Sequence, residues 1–197
     1  NMTIVRENGE LTIFNSVRLT EEGIAELESL GTIKNLVQVG GLHGVDDPFY
    51  KDTYGATYWA QPGAGQPGVA VDKELVEGGE LPVSNADLYT FKNSKVPETV
   101  FRLNRDGGIL IGCDAYQNYL APDEYFSEQS TKVMTEMGFF TPANVGPVWM
   151  QAAEPGPEDF AALSEWEYEH VFCGHGAPVI GGASAAYAAT FKRLFKL

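Results

Sequence analysis

Residues 33–48 read IKNLVQVGGLHGVDDP, and this stretch decides the fold class of the chain. Its first seven residues are mostly apolar without strict alternation, which is typical of a strand buried on both faces. The strand runs into a glycine-rich loop that carries His43, Asp46 and Asp47. Functional side chains in α/β proteins gather where strands end. The stretch therefore predicts a buried strand that delivers polar side chains to a site at the edge of a sheet.

The segments around this strand predict a sandwich of sheets with helices outside. Residues 2–6 and 11–17 alternate like the two strands of a hairpin, and Thr20 is placed to cap a short amphipathic helix that ends at Leu30. Downstream we predict helices over 48–54, 123–137, 158–166 and 183–195, a surface loop over 61–68, two strands within 87–104, and strands over 57–60, 109–113 and 170–173. Strands followed by strand–helix alternation are typical of an α/β sandwich.

Composition limits the class of protein. The chain has 197 residues, 44% of them hydrophobic and 20% charged, which predicts one soluble domain over residues 1–197. A net charge of −14 repels phosphate backbones and anionic membranes, so we expect a small-molecule partner and neither nucleic acid nor membrane. No run reaches the ~18 apolar residues of a membrane span, and no signal-peptide pattern is visible, which predicts a cytoplasmic protein. Composition indicates nothing about the oligomeric state.

Two further strand ends carry residues that bind metals. Asp114 follows the apolar strand 109–113, and His175 follows the strand 170–173. Imidazole and carboxylate groups are ligands that zinc, manganese and iron accept, and two histidines with one carboxylate suit an open, reactive ion. We therefore expect the polar side chains at the three strand ends to converge.

The order of these motifs resembles that of the metallo-β-lactamase superfamily. The motifs are a strand with a histidine-bearing loop, then Gly-Cys-Asp at 112–114, then Gly-His-Gly at 174–176 before a closing helix. The opening segment 2–19 resembles an uncharacterised branch of that superfamily. The resemblance implies a four-layer αββα sandwich and metal-dependent hydrolysis of lactams, lactones, thioesters or phosphodiesters.

The loop motif of that superfamily is only partly present. His-x-His-x-Asp-His falls on residues 43–48, where His43 and Asp47 match the first His and the Asp. Val45 and Pro48 replace the other two histidines. The region 93–98, where the resemblance places a further histidine, contains none. These losses predict one divalent ion rather than two.

The resemblance implies a reduced site. One ion, zinc first with iron or manganese as alternatives, would be held by His43, Asp47, Asp114 and His175. Asp46 or Asp47 would act as general base. Each residue also has a simpler explanation, because Asp47 can cap a helix that starts at Pro48 and the other three can stabilise turns. A second hypothesis therefore stays open: a non-catalytic protein of this fold, with a vestigial site and no metal, that binds a small molecule or a protein.

The remaining candidate residues have simpler roles. Alternation points His170 away from His175, so we predict a structural role for His170. Cys113 and Cys173 are interpreted as small core residues, with soft metal ligands or a redox pair as alternatives. Tyr116 and Tyr119 follow Asp114 and are candidates for the mouth of a pocket. The three tryptophans are predicted to serve packing.

Overall fold

A computed structural model describes residues 1–197 as two five-stranded sheets with six helices. The first sheet has the order β1-β2-β3-β4-β5, in which only β1 and β2 are antiparallel. Its strands are β1 (Thr3–Glu7), β2 (Glu10–Phe14), β3 (Thr32–Val37), β4 (Thr57–Ala60) and β5 (Lys73–Glu74). The predicted N-terminal hairpin is confirmed.

The second sheet comes from the C-terminal half of the chain. Its strands are β6 (Ala86–Thr90), β7 (Thr99–Leu103), β8 (Ile109–Ile111), β10 (His170–Phe172) and β12 (Val179–Ile180). Their order is β12-β10-β8-β7-β6, and β8 and β10 are parallel. Two very short strands, β9 (Gln117–Asn118) and β11 (His175–Gly176), pair beside this sheet.

Three separate apolar clusters show that the molecule has four layers. The helices are α1 (Glu21–Leu30), α2 (Asp47–Tyr54), α3 (Glu128–Glu136), α4 (Pro147–Ala153), α5 (Pro157–Ser164) and α6 (Ala183–Phe195). Leu27 of α1 and Tyr50 of α2 pack on the outer face of the first sheet. Phe14 and Phe101 meet between the sheets, with ring centroids 5.0 Å apart. Residues of α4, α5 and α6 cover the second sheet. The predicted αββα sandwich is confirmed.

Several element boundaries differ from the prediction. The helix predicted over 123–137 begins only at Glu128, because Asp123 forms a turn by accepting the Tyr125 N–H at 3.0 Å. Ser127 then caps the helix by accepting the Ser130 N–H at 3.1 Å. Strand β2 ends at Phe14 rather than at residue 17, because Asn15 has a φ of 53°. Helix α4 and four strands of two residues each were not predicted.

The topology brings the predicted strand ends to one edge. Phe172 lies beside Ile111 in the parallel pair of β10 and β8, so the residues that follow both strands emerge side by side. Gly40, just beyond β3, forms a bridge with Glu98, the residue directly before β7. The histidine-bearing loop of the first sheet therefore lies against the strand ends of the second. None of the six helices combines the length and apolar character needed to span a lipid bilayer.

Candidate metal centre

Asp114 lies between two histidines at the edge where the sheets meet. Its Oδ1 is 2.9 Å from Nε2 of His175, and its Oδ2 is 3.2 Å from Nε2 of His43. The two imidazole rings have centroids 5.1 Å apart. The His43 and His175 side chains are 24% and 32% exposed, so a small molecule can reach them from solvent. The structure thus brings together three of the four predicted ligands.

Cys113 adds a sulfur to this cluster. The ligand atoms of His43, Cys113 and Asp114 all lie within 4.8 Å of one another, and Cys113 Sγ is 4.0 Å from Asp114 Oδ2. Ligands of a tetrahedral zinc ion, at ~2.0–2.3 Å from the metal, are about 3.5 Å apart. The spacing of the cluster therefore fits one ion after small side-chain movements.

Glycines allow the site loops to approach this closely. A Cβ at Gly40 would lie 2.7 Å from Cys113 Sγ, nearer than real Cβ atoms come. Gly176 has a φ of 81°, and a Cβ there would overlap the carbonyl group of Asn118. Because β11 pairs with β9 through His175 and Gln117, Gly176 also fixes where His175 lies.

Asp47 anchors the histidine-bearing loop from beneath. Its carboxylate is fully buried and accepts hydrogen bonds from the Ser16 hydroxyl at 2.6 Å and from the Tyr58 hydroxyl at 2.8 Å. Burial raises the pKa of Asp47. Beside it, Gln38 donates its amide N–H to the His43 carbonyl oxygen at 2.6 Å. Asp47 and His175 both lie outside the group of mutually close ligand atoms, although His175 Nε2 is 2.9 Å from Asp114 Oδ1. The role of Asp47 as a ligand stays a prediction.

Asp46 faces away from this network. Its Oδ2 accepts the backbone N–H of Arg18 at 2.9 Å, which ties the loop to the segment before α1. Asp46 also occupies the cap position of α2, without a side-chain cap bond, so the alternative interpretation of Asp47 as the helix cap is wrong. The general-base role of Asp46 or Asp47 stays a prediction.

Glu98 is a buried acid that the sequence analysis did not single out. It has no exposed surface; its Oε1 accepts the backbone N–H of Ala115 at 2.5 Å, and its Oε2 has no hydrogen-bond partner. Burial, and then the charge of Asp114, raise the pKa of Glu98 well above its ordinary value. Glu98 is the last residue of the region 93–98, where the resemblance predicted a histidine that the sequence lacks. The only sequence signal was an acidic residue directly before an apolar strand.

The electrostatics favour an ionised Asp114. Burial acts to raise the pKa of this carboxyl group, but the hydrogen bonds from His175 and His43 outweigh burial and hold the pKa below its ordinary value. A fully buried second acid, Glu98, lies next to this carboxylate. Because burial and Asp114 raise the pKa of Glu98, Asp114 is the carboxylate whose charge favours a bound cation here.

The other candidate residues have structural contacts. His170 Nδ1 accepts the Gly181 N–H at 3.0 Å, which agrees with the predicted structural role. Cys173 is buried, and its thiol donates to the His175 and Ala177 carbonyl oxygens at 3.2 and 3.3 Å. Both cysteines are free, so the structure contains no disulfide.

The two tyrosines after Asp114 have different environments. The prediction that Tyr116 lines a pocket mouth is wrong, because the turn at 112–115 sends its ring into the core, 4.8 Å from the ring of Tyr187. Tyr119 remains near the site: its ring lies 5.4 Å from Phe139, which lies 6.4 Å from His175. Trp59 and Trp149 are buried and Trp166 is partly buried, which confirms that the tryptophans serve packing.

Comparison with solved structures shows that the chain has the metallo-β-lactamase fold. No protein-family model matches the sequence, and a search of curated protein sequences finds no match. The subclass B3 metallo-β-lactamase BJP-1 of Bradyrhizobium japonicum aligns with a TM-score of 0.61 and 16% identity, over 98% of this chain and 84% of its own. A metallo-β-lactamase of Cronobacter sakazakii aligns with a TM-score of 0.59 and 13% identity, over 99% of this chain and 86% of its own.

The Cronobacter protein carries a motif that departs from the superfamily pattern in a similar way. It is described by the motif HARLDQ, in which the first His and the Asp are kept and the other two histidines are replaced. Residues 43–48 here read HGVDDP and keep the same two positions. The likeness concerns the pattern alone, since the replacing residues differ.

The same fold occurs in a protein with a different type of centre. The flavodiiron protein from Giardia intestinalis aligns with a TM-score of 0.64 and 14% identity, over 96% of this chain and 50% of its own. The fold therefore does not fix the reaction, and the function has to be argued from the site.

Proposed function

We propose that this protein is a metal-dependent hydrolase with a single ion bound by His43, Asp114, His175 and Cys113. The observation that carries the proposal is the convergence of both imidazoles on the two oxygens of Asp114, at 2.9 and 3.2 Å. Asp47 was also expected to bind the ion. We propose instead that Asp47 anchors the loop, because binding an ion would compete with its hydrogen bonds to Ser16 and Tyr58.

The donor set favours zinc. Two imidazole nitrogens, one carboxylate oxygen and one sulfur match the ligands of tetrahedral zinc sites, and a thiolate disfavours harder ions such as manganese. Burial raises the pKa of the Cys113 thiol well above its ordinary value, so binding of zinc would have to release the thiol proton. Because four protein ligands fill a tetrahedral shell, a water or substrate oxygen would have to bind as a fifth ligand, and zinc would there polarise a carbonyl oxygen or lower the pKa of the water.

The protein's own residues would hold the reacting geometry. In the absence of an ion, Asp114 holds His43 and His175 close together through their Nε2 atoms, and bonds to the ion would replace these contacts. The bonds around Asp47 hold the backbone of the His43 loop and would remain. Glu98 fixes the turn that carries Asp114 by accepting the Ala115 N–H. These contacts preorganise the site, so that little reorganisation is needed when substrate binds.

Elemental analysis tests the proposal directly. Protein purified without chelator or nickel resin should contain about one zinc per chain, and His43→Ala and His175→Ala should each lose most of it. His170→Ala is the matched control, because His170 lies at the start of β10 and its ring accepts a hydrogen bond from the Gly181 N–H rather than facing Asp114. Absence of metal after soaking in zinc, or equal retention in all three variants, would refute the metal centre.

A non-catalytic role is the second candidate. It is favoured by the hydrogen bonds that already pair both oxygens of Asp114 with histidine side chains. A zinc-free protein that is as stable as the zinc-loaded one and hydrolyses no ester, lactone, thioester or phosphodiester would support this candidate.

A further inference from the structure

Apolar side chains flank His43 on the solvent side. Leu42 and Val45 belong to the same loop and are 48% and 77% exposed. The site loop therefore presents two aliphatic side chains to water within two residues of a proposed metal ligand. Exposed apolar side chains beside a site mark a binding surface more often than isolated ones do.

A second apolar surface flanks His175. Phe139 lies 6.4 Å from the His175 ring, and Tyr119 packs against Phe139 at 5.4 Å. Leu120, the next residue along the chain, is 58% exposed. The His43 and His175 rings are 5.1 Å apart, so one apolar group adjoins each histidine of the same pair.

Lysine and arginine are nearly absent from these surfaces. The segment 40–46 contains neither, and the segment 115–146 contains only Lys132, on α3. On the neighbouring segment 91–98, Lys92 is 3.4 Å from Glu77 and Lys95 is 2.6 Å from Glu154. Lysine and arginine are therefore scarce on these segments, and Lys92 and Lys95 are already paired with carboxylates.

From these observations we propose that the site takes uncharged carboxylic esters with an apolar acyl chain, the chain packing between Leu42 and Val45 on one side and Tyr119, Leu120 and Phe139 on the other. This inference rests on the proposed hydrolase function. Water adds its oxygen to the acyl carbon, and the bond from that carbon to the alcohol oxygen breaks. One water proton goes to the alcohol, and the carboxylic acid product releases the other when it ionises. The acidic side chains around the histidine pair then favour release of the carboxylate.

The chain-length dependence of hydrolysis tests this assignment. Zinc-loaded protein is assayed with p-nitrophenyl acetate, butyrate and octanoate. We expect kcat/KM to rise by about tenfold or more from acetate to octanoate, since each buried methylene favours binding. An ester with a chain of the same length that ends in a carboxylate should be hydrolysed more slowly than the octanoate.

Serine substitutions test whether Leu42 and Val45 bind the acyl chain or whether any exposed apolar residue has the same effect. Val45→Ser and Leu42→Ser should flatten the chain-length dependence, measured as the ratio of kcat/KM for octanoate to that for acetate. Ile180→Ser is the matched control: Ile180 is 64% exposed, and it pairs with His170 at the end of β10 away from the site. Equal hydrolysis of all chain lengths, or the same flattening in Ile180→Ser, would overturn the inference and leave the metal hydrolase standing.

A binding measurement decides the case in which no ester is hydrolysed. That result would refute the proposed function. Binding of an apolar chain at Leu42 and Val45 is then tested by NMR titration of the zinc-loaded protein with N-octylacetamide and with octanoate. The uncharged amide should shift the methyl signals of Leu42 and Val45, and the anion should shift them less at equal concentration. The absence of shifts with the amide, or equal shifts with both, would overturn the inference.

Discussion

Glu98 supports the turn that carries Asp114, and substitution of Glu98 should destabilise the protein at that turn. Glu98→Ala leaves the buried Ala115 N–H without its acceptor, which costs about 1–3 kcal/mol in addition to the cavity that the truncation creates. Glu98→Gln keeps an acceptor oxygen and removes the buried acid, so its loss of stability should be much smaller. Urea unfolding of metal-free protein measures both variants. Equal losses would show that the hydrogen bond to Ala115 contributes little.

Gly44 lets the His43 loop close over Asp47. Its φ is 102°, and a Cβ would lie 2.6 Å from Asp47 Oδ2 and 2.7 Å from Gln38 Nε2. Gly44→Ala should therefore displace the loop and weaken zinc binding about tenfold or more, as is typical when the supports of a metal ligand are disturbed.

A second glycine serves as a control that distinguishes a steric clash from backbone strain as the cause of the effect of Gly44→Ala. Gly68 has a φ of 83°, and a Cβ there would have no atom within 4 Å, so Gly68→Ala adds strain without a collision. Zinc affinity, measured by competition with a chromophoric chelator, should fall only in Gly44→Ala. A similar fall in both variants would attribute the effect to general strain.

Sequence position alone identified the histidines but not their supports. His43, Asp114 and His175 were predictable because each follows an apolar strand, and the ends of parallel strands share an edge. Glu98 was not, because its role depends on the long-range contact of β7 with the turn after β8. Tyr116 was misplaced for a related reason: the direction in which a turn sends the next side chain depends on tertiary packing.

At the scale of elements, one carboxylate joins α2 to β4. Asp72 Oδ2 accepts from the Lys51 ammonium at 2.6 Å and from the Tyr58 N–H at 2.8 Å. The Lys51 hydrogen bond, followed by that of the Tyr58 N–H, lowers the pKa of Asp72. Because α2 begins directly after the His43 loop and Tyr58 donates to Asp47, this junction lies beneath the site.

The lowered pKa of Asp72 predicts how stability changes with pH. Its folded-state pKa lies below the unfolded value of about 3.9, so its stabilising contribution is complete above that pH and is lost as the pH falls through the folded-state pKa. Asp72→Asn should therefore be less stable than wild type at pH 7, and the difference should shrink below about pH 4. Thermal unfolding across this range measures the difference.

An exposed ion pair supplies the control for Asp72. Lys73 and Glu80 are 2.6 Å apart with side chains 42% and 69% exposed, so Glu80→Gln should change stability little at any pH. A loss in Asp72→Asn that stays constant from pH 7 to pH 3 would mean that the ionised carboxylate is not the stabilising group.

Element types were easier to predict than element lengths. Helix α6 was predicted with the bounds Ala183–Phe195 that the structure shows, because its apolar periodicity is continuous. Helix α3 was predicted too long because the Asp123 side chain accepts the Tyr125 N–H and forms a turn, and the helix begins only after Ser127, which accepts the Ser130 N–H. The strands β5, β9, β11 and β12 have two residues each, too few for any periodicity to appear.

At the scale of the whole molecule, the proposed centre joins the two halves of the sandwich. His43 belongs to the loop that follows β3 of the first sheet, whereas Cys113, Asp114 and His175 follow strands of the second. An ion bound by all four residues would cross-link segments more than 60 residues apart, since His43 and Cys113 differ by 70 in sequence number. Because such a site does not exist in the unfolded chain, binding of the ion adds to the free energy of unfolding.

Zinc should therefore stabilise the entire fold. At a free zinc concentration one hundred times the dissociation constant, the free energy of unfolding should rise by about 2.7 kcal/mol. His43→Ala, which removes the only proposed ligand from the first sheet, should lose most of this gain, while His170→Ala should keep it. Urea unfolding with and without zinc measures the gain, and magnesium, which prefers oxygen ligands, should give little. If His43→Ala gained as much as wild type, the ion would be held by the second sheet alone and would not join the two halves.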